Sequence, residues 1–178
     1  MTTGKTSRVA LVTGGTRGIG EAICKALVGR GYQVVTTFRN ADRKPQALEW
    51  QNRLAAEGLE IDLVQMDVAD TQSCETAANE LLGRYGRLDV LVNNAGITRD
   101  SVMKKMPVEA WREVIHTNLD SVFNVTHCFL DTLIAQNYGR VINISSINAQ
   151  KGQFGQVNYS AAKAGVHGFT KALAQETA

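Results

Sequence analysis

The chain has 178 residues, of which 44% are hydrophobic and 20% charged, with a formal net charge of +2. This length and composition predict one globular domain with a sizeable core, and they exclude a disordered chain. A charge this small and this scattered gives no reason to expect a nucleic-acid or membrane surface, so we predict neither partner.

Short β-branched runs alternate with longer helical patterns, which is typical of an α/β protein with a parallel sheet. Five strands are predicted, at Arg8–Thr13, Gln33–Thr37, Ile61–Gln65, Leu88–Val92 and Arg140–Ile144. Helices are predicted from about Ile19 to Gly29, Pro45 to Glu57, Thr71 to Arg84, Val108 to Ala135, and Tyr159 to the chain end. We expect the fourth helical pattern to break near Asn118. Together these elements predict one doubly wound domain with helices on both faces of the sheet.

A glycine-rich turn, Thr13 to Gly20 (TGGTRGIG), lies between the first strand and the first helix. Its glycines at 14, 18 and 20 let the backbone approach a pyrophosphate, whose charge the helix N-terminus favours. A plain structural turn also uses glycine. Because this turn follows a strand and opens a helix, we predict a dinucleotide site.

The end of the second strand indicates which dinucleotide is bound. An NAD site carries an acidic residue there, whereas an NADP site offers arginine to the 2′-phosphate. Arg39 is the first charged residue after the strand, Arg43 and Lys44 follow, and Asp42 comes too late for the usual carboxylate. We therefore predict NADPH, with a solvated basic loop as the alternative.

A tyrosine and a lysine four positions apart, Tyr159 and Lys163, lie on one face of the last predicted helix. A phenol has an unperturbed pKa of about 10, and a neighbouring ammonium favours the phenolate, which makes proton transfer feasible. Ser146 stands at the end of the fifth strand, just beyond Ile144, where open α/β sheets place their sites. Such a pair is common by chance, so its value comes from occurring together with the glycine turn.

The cysteines and histidines give no sign of metal chemistry. Cys24, Cys74 and Cys128 lie about fifty positions apart, without a partner at zinc-ligand spacing. We expect buried thiols in a reducing cytoplasm, and no metal site.

Several motifs occur in the order and spacing of one known family. They are TGGTRGIG at 13–20, MDV at 66–68, NNAG at 93–96, the asparagine at 118, the serine pair at 145–146 and YSAAK at 159–163. Across essentially its whole length the chain resembles a short-chain dehydrogenase/reductase. The resemblance implies a single NADP-binding Rossmann domain over residues 1–178.

The resemblance also implies catalytic roles. Tyr159 would protonate the substrate oxygen, and Lys163 would favour proton transfer by Tyr159 and bind the nicotinamide ribose. Ser146, rather than Ser145, fits the catalytic serine, and Asn118 would hold a proton-relay water.

Cofactor contacts are implied at three segments and three single residues. In the turn they fall on Gly14, Thr16, Arg17, Gly18, Ile19 and Gly20; beyond it, on Arg39, on Asp67 and Val68 at the adenine, on Asn94, Ala95 and Gly96 along the cofactor path, and on Tyr159 and Lys163. Asn93 and Asn94 have an alternative structural interpretation, since asparagine favours turns at strand ends.

Two stretches, 93–106 and 143–176, closely resemble NADPH-dependent acetoacetyl-CoA reductases of polyhydroxybutyrate synthesis. By that resemblance, an acyl-CoA substrate would be faced by Asp100, Gln153, Phe154 and Gln156, together with Ser146 and Tyr159. A polar loop without a partner is the alternative, although an apolar ring such as Phe154 usually has something to cover. Lys104 and Lys105 are either attractants for CoA phosphates or simply solvated.

The resulting expectation is hydride transfer from NADPH to the 3-keto carbon of acetoacetyl-CoA, giving 3-hydroxybutyryl-CoA. A 3-oxoacyl-(acyl-carrier-protein) reductase is the nearest alternative, and a non-catalytic NADP-binding module or inactive fragment is an alternative of another class. The resemblance stops at Ala178, before the family's last strands and substrate lid. We therefore expect a polypeptide that ends there to be a truncation, poorly soluble and close to inactive, and the full-length form to be a cytoplasmic homotetramer.

Overall fold

The computed structural model of the protein describes residues 7–178, in which five parallel strands form one sheet. The strands are β1 (Val9–Val12), β2 (Gln33–Phe38), β3 (Ile61–Gln65), β4 (Val90–Asn93) and β5 (Arg140–Asn143). Their order across the sheet is β3-β2-β1-β4-β5. Helices flank the sheet, and the predicted doubly wound Rossmann fold is confirmed.

The helices largely follow the predicted pattern. They are α1 (Gly18–Val28), α2 (Lys44–Ala56), α3 (Thr71–Tyr85), α4 (Val108–Ile115), α5 (Ser121–Ala135), α6 (Asn148–Lys151) and α7 (Val157–Thr177). A π-helical segment, His116–Asp120, joins α4 to α5, so the expected break near Asn118 is confirmed. The last helix begins at Val157, slightly before the predicted Tyr159, and α6 was not predicted.

The ends of α3 show how local sequence sets a helix boundary. Asp70 caps the N-terminus, its carboxylate accepting hydrogen bonds from the N–H groups of Gln72 at 2.9 Å and Ser73 at 3.3 Å. Gly86 ends the helix in the left-handed conformation, with φ of 68°. Both ends of α3 are therefore set by residues at the boundaries of the helix.

The core lies on both faces of the sheet because side chains alternate along each strand. On one face, Leu11 and Leu91 pack with Phe129 and Leu81 of the covering helices. On the other, Val12 and its neighbours pack against α1 and α2. The central strands β1 and β4 are thus buried on both sides, and they hold the segments that follow them in fixed positions.

No helix within residues 7–178 is long and apolar enough to cross a membrane.

A buried carboxylate, Asp89, ties the start of β4 to the start of β1. It accepts a 2.8 Å hydrogen bond from the Val9 N–H and a paired interaction from Arg87, at 2.8 and 2.6 Å. Burial by itself would raise the pKa of Asp89, but the hydrogen bonds from Arg87 and Val9 outweigh it and hold that pKa below its usual range. The ionised form is therefore part of the folded structure.

Replacement of this carboxylate should destabilise the fold. We expect Asp89→Asn to lower the free energy of unfolding at pH 7 by about 2–3 kcal/mol. An asparagine has no charge to pair with Arg87, and its NH2 group would face N–H donors that now bond to the second carboxylate oxygen. The folded-state pKa is depressed, so the wild-type advantage is complete above the unfolded pKa of about 4 and shrinks as the pH falls through the folded value. Chemical denaturation at pH 7 and pH 3 measures both effects.

The exposed Asp131 on α5 provides the control. Asp131→Asn should change the free energy of unfolding by no more than about 0.5 kcal/mol. An equal loss from both substitutions would contradict the role given to Asp89.

Candidate active site

A cleft of about 430 Å³ opens at the carboxyl ends of β1, β4 and β5. The strand order reverses between β1 and β4, and such a switch point is where open α/β sheets bind ligands. The cleft is lined by Arg17, Ile19, Asn94, Gly96, Ile97, Thr98, Arg99, Asn118, Ile144, Ser145, Tyr159 and Lys163. Seven of these residues, at 17, 19, 94, 96, 118, 159 and 163, were predicted as site residues from the sequence.

The glycine turn packs tightly against the segment that follows β4. Gly14 has a φ of +65°, and a Cβ there would lie 3.2 Å from the Ala95 Cα. A Cβ on Gly20 would lie 2.6 Å from the Asn94 amide nitrogen. These close approaches leave room only for glycine.

Thr13 and Asn94 join the two sides of the cleft. The Thr13 hydroxyl accepts hydrogen bonds from the N–H groups of Asn94 and Ala95, both at 3.0 Å. The Asn94 side chain donates to the carbonyls of Thr13 at 2.9 Å and Gly14 at 3.1 Å. Asn94 therefore holds the glycine turn in place as well as lining the cleft.

The start of α1 offers unused hydrogen-bond donors. Within the described chain, the N–H groups of Gly18, Ile19 and Gly20 have no acceptor, and Arg17 provides no side-chain cap. Gly18 has a φ of +55°, and a Cβ there would meet nothing within 4 Å. Free N–H groups at a helix N-terminus beside open space suit a pyrophosphate. The residues present thus fit a dinucleotide cofactor.

Arg39 points its guanidinium at the end of β3. Its Nε donates to Asp67 at 2.8 Å, and in residues 7–178 neither Nη atom has a hydrogen-bond partner. The Arg39 side chain is 64% exposed, so its Nη groups can bind a ligand. Val68, next to Asp67, is largely buried, and its carbonyl accepts from the Asn124 amide at 3.1 Å.

Lys163 is buried beside the tyrosine that it was predicted to assist. Its Nζ lies 5.9 Å from the centre of the Tyr159 ring and donates to the Ile144 carbonyl at 2.7 Å. Only 4% of the residue is exposed, and burial lowers the pKa of the Lys163 ammonium to about 8. The group therefore changes charge close to neutral pH.

Asn118 lies in the π-helical segment and is fully buried. Its amide nitrogen donates to the carbonyls of Ile97 and Val114, both at 2.9 Å, and its oxygen accepts from the Ile97 N–H at 3.2 Å. A Cβ on Gly96 would lie 2.5 Å from that oxygen and 3.8 Å from the Lys163 Nζ. Gly96 therefore allows Asn118 and Lys163 to approach the same point.

The two serines after β5 have different partners. The Ser145 hydroxyl donates to the Lys163 carbonyl at 3.0 Å, which ties the segment after β5 to α7. The Ser146 oxygen accepts from the Asn148 N–H at 3.1 Å. Within the described residues the Ser146 hydroxyl hydrogen has no acceptor, so it remains free to donate.

Two of the predicted substrate residues, Asp100 and Gln156, belong to one polar network, and a third, Gln153, lies beside it. The Gln156 amide donates to Asp100 at 2.9 Å and accepts from the Asn148 amide, also at 2.9 Å. Gln153 instead accepts from Lys151 at 3.2 Å. Phe154 is 87% exposed, so its ring covers nothing within the described chain. Lys104 and Lys105 are both exposed.

Sequence reasoning missed three residues that hydrogen-bond to predicted site residues, Thr13, Asn148 and Asn158. Thr13 was part of the glycine motif but was not assigned a contact. Asn148 and Asn158 stood within the stretches used for the resemblance, and neither was singled out. Their side-chain N–H groups donate to Gln156, Arg99 and Ala110, which lie further away in the chain, so the local sequence does not reveal these contacts.

The cysteines lie apart from the cleft. Cys24 and Cys74 are buried, and burial raises the pKa of each thiol to about 12. Residues 7–178 contain no group of three His, Cys, Asp or Glu side chains that could hold a metal ion.

Comparison with known proteins identifies close relatives. Residues 8–178 match a family model described as short chain dehydrogenase. The acetoacetyl-CoA reductase of Rhizobium meliloti is 51% identical over 97% of this chain and 68% of its own length. That of Cupriavidus necator is 49% identical over 97% of this chain and 70% of its own length. A 3-oxoacyl-(acyl-carrier-protein) reductase of Synechocystis is 43% identical over 99% of this chain and 70% of its own length.

The buried ammonium of Lys163 should lower the stability of the fold. Because its folded-state pKa lies below the unfolded value of 10.5, stability rises with pH between about 8 and about 10.5. We expect Lys163→Met to raise the free energy of unfolding by about 1–3 kcal/mol at pH 7, and this gain to shrink over that pH window. Chemical denaturation at pH 7 and pH 10 measures it.

The exposed Lys171, also on α7, is the matched control. Lys171→Met should leave stability within about 0.5 kcal/mol at both pH values. A loss of stability at pH 7 in Lys163→Met would contradict the unfavourable burial of this charge.

Proposed function

The chain belongs to the short-chain dehydrogenase family, and on that premise we propose that it reduces the 3-keto group of acetoacetyl-CoA to 3-hydroxybutyryl-CoA with NADPH. One observation carries the proposal: Tyr159 and buried Lys163 line the same cleft as the free N–H groups at the start of α1. The higher identity to acetoacetyl-CoA reductases, 51% against 43% for the carrier-protein enzyme, favours a CoA thioester.

The reaction needs a hydride and a proton, and bound NADPH supplies the hydride. The Tyr159 hydroxyl donates the proton to the keto oxygen, where negative charge gathers as the carbonyl bond breaks. The Ser146 hydroxyl, whose hydrogen has no acceptor in the described chain, donates a hydrogen bond to the same oxygen. The tyrosine is left as a phenolate.

Lys163 stabilises that phenolate electrostatically from its position 5.9 Å from the ring centre. One of its three N–H groups is used on the Ile144 carbonyl. Two remain for the nicotinamide ribose and for a water that returns a proton to Tyr159. Asn118, packed beside Lys163 near Gly96, is proposed to hold that water.

Cofactor binding divides between the two ends of the dinucleotide. The turn from Gly14 to Gly20 binds the pyrophosphate, and Asn94, Ala95 and Gly96 line the path to the nicotinamide. Asp67 and Val68 contact the adenine, and the Nη atoms of Arg39 bind the 2′-phosphate.

The acyl-CoA is proposed to lie along the segment from Gln153 to Gln156 and against Asp100. The exposed Phe154 ring gains an apolar partner there, and the polar network of Asp100 and Gln156 is already formed. We propose that the protein works in the cytoplasm. We also propose that it is a homotetramer, and sedimentation of the native protein tests this oligomeric state.

Loss of the tyrosine hydroxyl tests the reaction itself. In the protein expressed from its native reading frame, Tyr159→Phe should lower kcat for acetoacetyl-CoA by roughly 10²–10⁴-fold, because a general acid is removed. NADPH oxidation followed by absorbance measures it, with the carrier-protein thioester compared at equal concentration.

Tyr138→Phe is the matched control, because that ring packs against Arg8 and Arg140 away from the cleft. It should keep wild-type turnover. No NADPH oxidation by the wild type with acetoacetyl-CoA, or near-normal turnover by Tyr159→Phe, would overturn the proposed function.

Reversing one charge tests the choice of cofactor. Arg39→Asp should weaken NADPH binding by about tenfold or more and leave NADH binding little changed, because only NADPH carries the 2′-phosphate. Fluorescence titration with each nucleotide measures the two dissociation constants.

Arg43 lies in the same basic turn but bonds to Gln46 at 3.0 Å. Arg43→Asp should keep the wild-type preference for NADPH. Unchanged NADPH affinity in Arg39→Asp would remove Arg39 from the cofactor site.

A further inference from the structure

Asn158, immediately before Tyr159, is fully buried at the edge of the cleft. Its side-chain amide makes three hydrogen bonds, and each joins a different part of the backbone. The oxygen accepts from the Tyr159 N–H at 2.8 Å. The nitrogen donates to the carbonyls of Arg99 at 3.0 Å and Ala110 at 3.3 Å.

The bond to Tyr159 meets a need that every helix has. The first N–H groups of a helix have no carbonyl one turn earlier, and Gln156 provides no side-chain cap for α7. The first backbone bond of this helix runs from the Ser160 N–H to the Gln156 carbonyl at 2.8 Å. The Asn158 oxygen satisfies the donor just before it, which belongs to Tyr159.

The two bonds from the Asn158 amide nitrogen reach segments that are themselves joined by an ion pair. Arg99 follows β4 and lines the cleft, and its guanidinium makes a paired interaction with Glu113 of α4 at 2.8 and 2.7 Å. Ala110 lies on the same helix. Asn158 therefore connects the first turn of α7 both to the cleft wall and to the helix that braces that wall.

We propose that Asn158 is a positioning residue for Tyr159. It fixes the first turn of α7 against the Arg99 segment and α4, and so sets where the tyrosine hydroxyl meets the substrate carbonyl. The inference rests on the proposed function for its catalytic consequence, but the position of Tyr159 is measurable without any substrate. Misplacement of a reacting group by about 1 Å lowers rates by up to about 10²-fold.

A second amide in the chain makes the same kind of bonds far from the cleft. The Gln136 nitrogen donates to the carbonyls of Leu88 at 2.6 Å and Tyr138 at 3.3 Å, and its oxygen accepts from the Leu88 N–H at 3.2 Å. These contacts lie near the starts of β4 and β5, at the opposite end of the sheet. Gln136, which is half-buried, thus separates the loss of an amide that bonds to the backbone from the loss of a tie to Tyr159.

The kinetic test compares Asn158→Leu with Gln136→Leu in the full protein. Both should lower the stability measured by chemical denaturation, because each leaves backbone groups unpaired. Asn158→Leu should lower kcat for acetoacetyl-CoA about 10- to 100-fold with the Kd for NADPH within about twofold, whereas Gln136→Leu keeps kcat within about twofold.

Asn158→Asp is a second variant, which tests the proposal if Asn158→Leu does not fold. It is isosteric, keeps an acceptor for the Tyr159 N–H, and places negative charge where a helix N-terminus favours it. It loses both donors to Arg99 and Ala110, so kcat should again fall about tenfold or more. Wild-type kcat in either folded Asn158 variant, or an equal fall in Gln136→Leu, would overturn the proposal.

Tyrosine labelled with ¹³C at Cζ gives the readout that needs no substrate. The Tyr159 signal is assigned by its disappearance in Tyr159→Phe. It should shift or broaden in the Asn158 variants and keep its wild-type position in Gln136→Leu. An unchanged Tyr159 signal in a folded Asn158 variant rejects the positioning role. A wild type that leaves acetoacetyl-CoA unreduced rejects the proposed function instead.

Discussion

The threonine at the end of β1 provides the interaction on which the cleft depends. Its hydroxyl accepts two backbone N–H groups from the segment after β4, and the Asn94 amide returns two bonds to the glycine turn. These contacts join segments about eighty positions apart, at the point where the strand order reverses. A sheet opens a crevice at that point because the adjoining helices diverge. The Thr13–Asn94 junction joins the glycine turn to the segment after β4 across this crevice. The free N–H groups of α1 lie on one side of the crevice, and α7 lies on the other.

On the opposite side of the cleft, the hydrogen-bond acceptors around Lys163 are backbone carbonyls and not carboxylates. Lys163 is held by the Ile144 carbonyl, and the Lys163 carbonyl accepts from Ser145 in return. No carboxylate within the described chain bonds to this ammonium, so burial acts on it without compensation and lowers its pKa to about 8. A charge held in this way reduces the stability of the folded protein. It also leaves the ammonium free to act on the phenol and on a bound cofactor, which is the usual relation between stability and activity at such sites.

Local patterns predicted the fold well. The third strand, Ile61–Gln65, was predicted to the residue, since apolar and polar side chains alternate over most of it. The break near Asn118 was predicted, although its π-helical form was not. The short helix α6 escaped prediction because four residues carry no helical period. In the site, the sequence named cleft-lining residues on both sides, Asn94 among them, but gave no role to Thr13 or Asn158, which bond to them.

By itself the sequence determined the order of the elements, the glycine turn and the pairing of Tyr159 with Lys163, since each depends on residues within about one turn of each other. Only the tertiary structure decided that the Arg39 guanidinium bonds to Asp67 and that the Asn158 amide bonds to the Arg99 carbonyl. It also decided that the Lys163 ammonium is buried away from solvent. The physical reason is distance along the chain. Hydrogen bonds across 28 and 59 positions, and the burial that shifts a pKa, arise only when separate segments pack together.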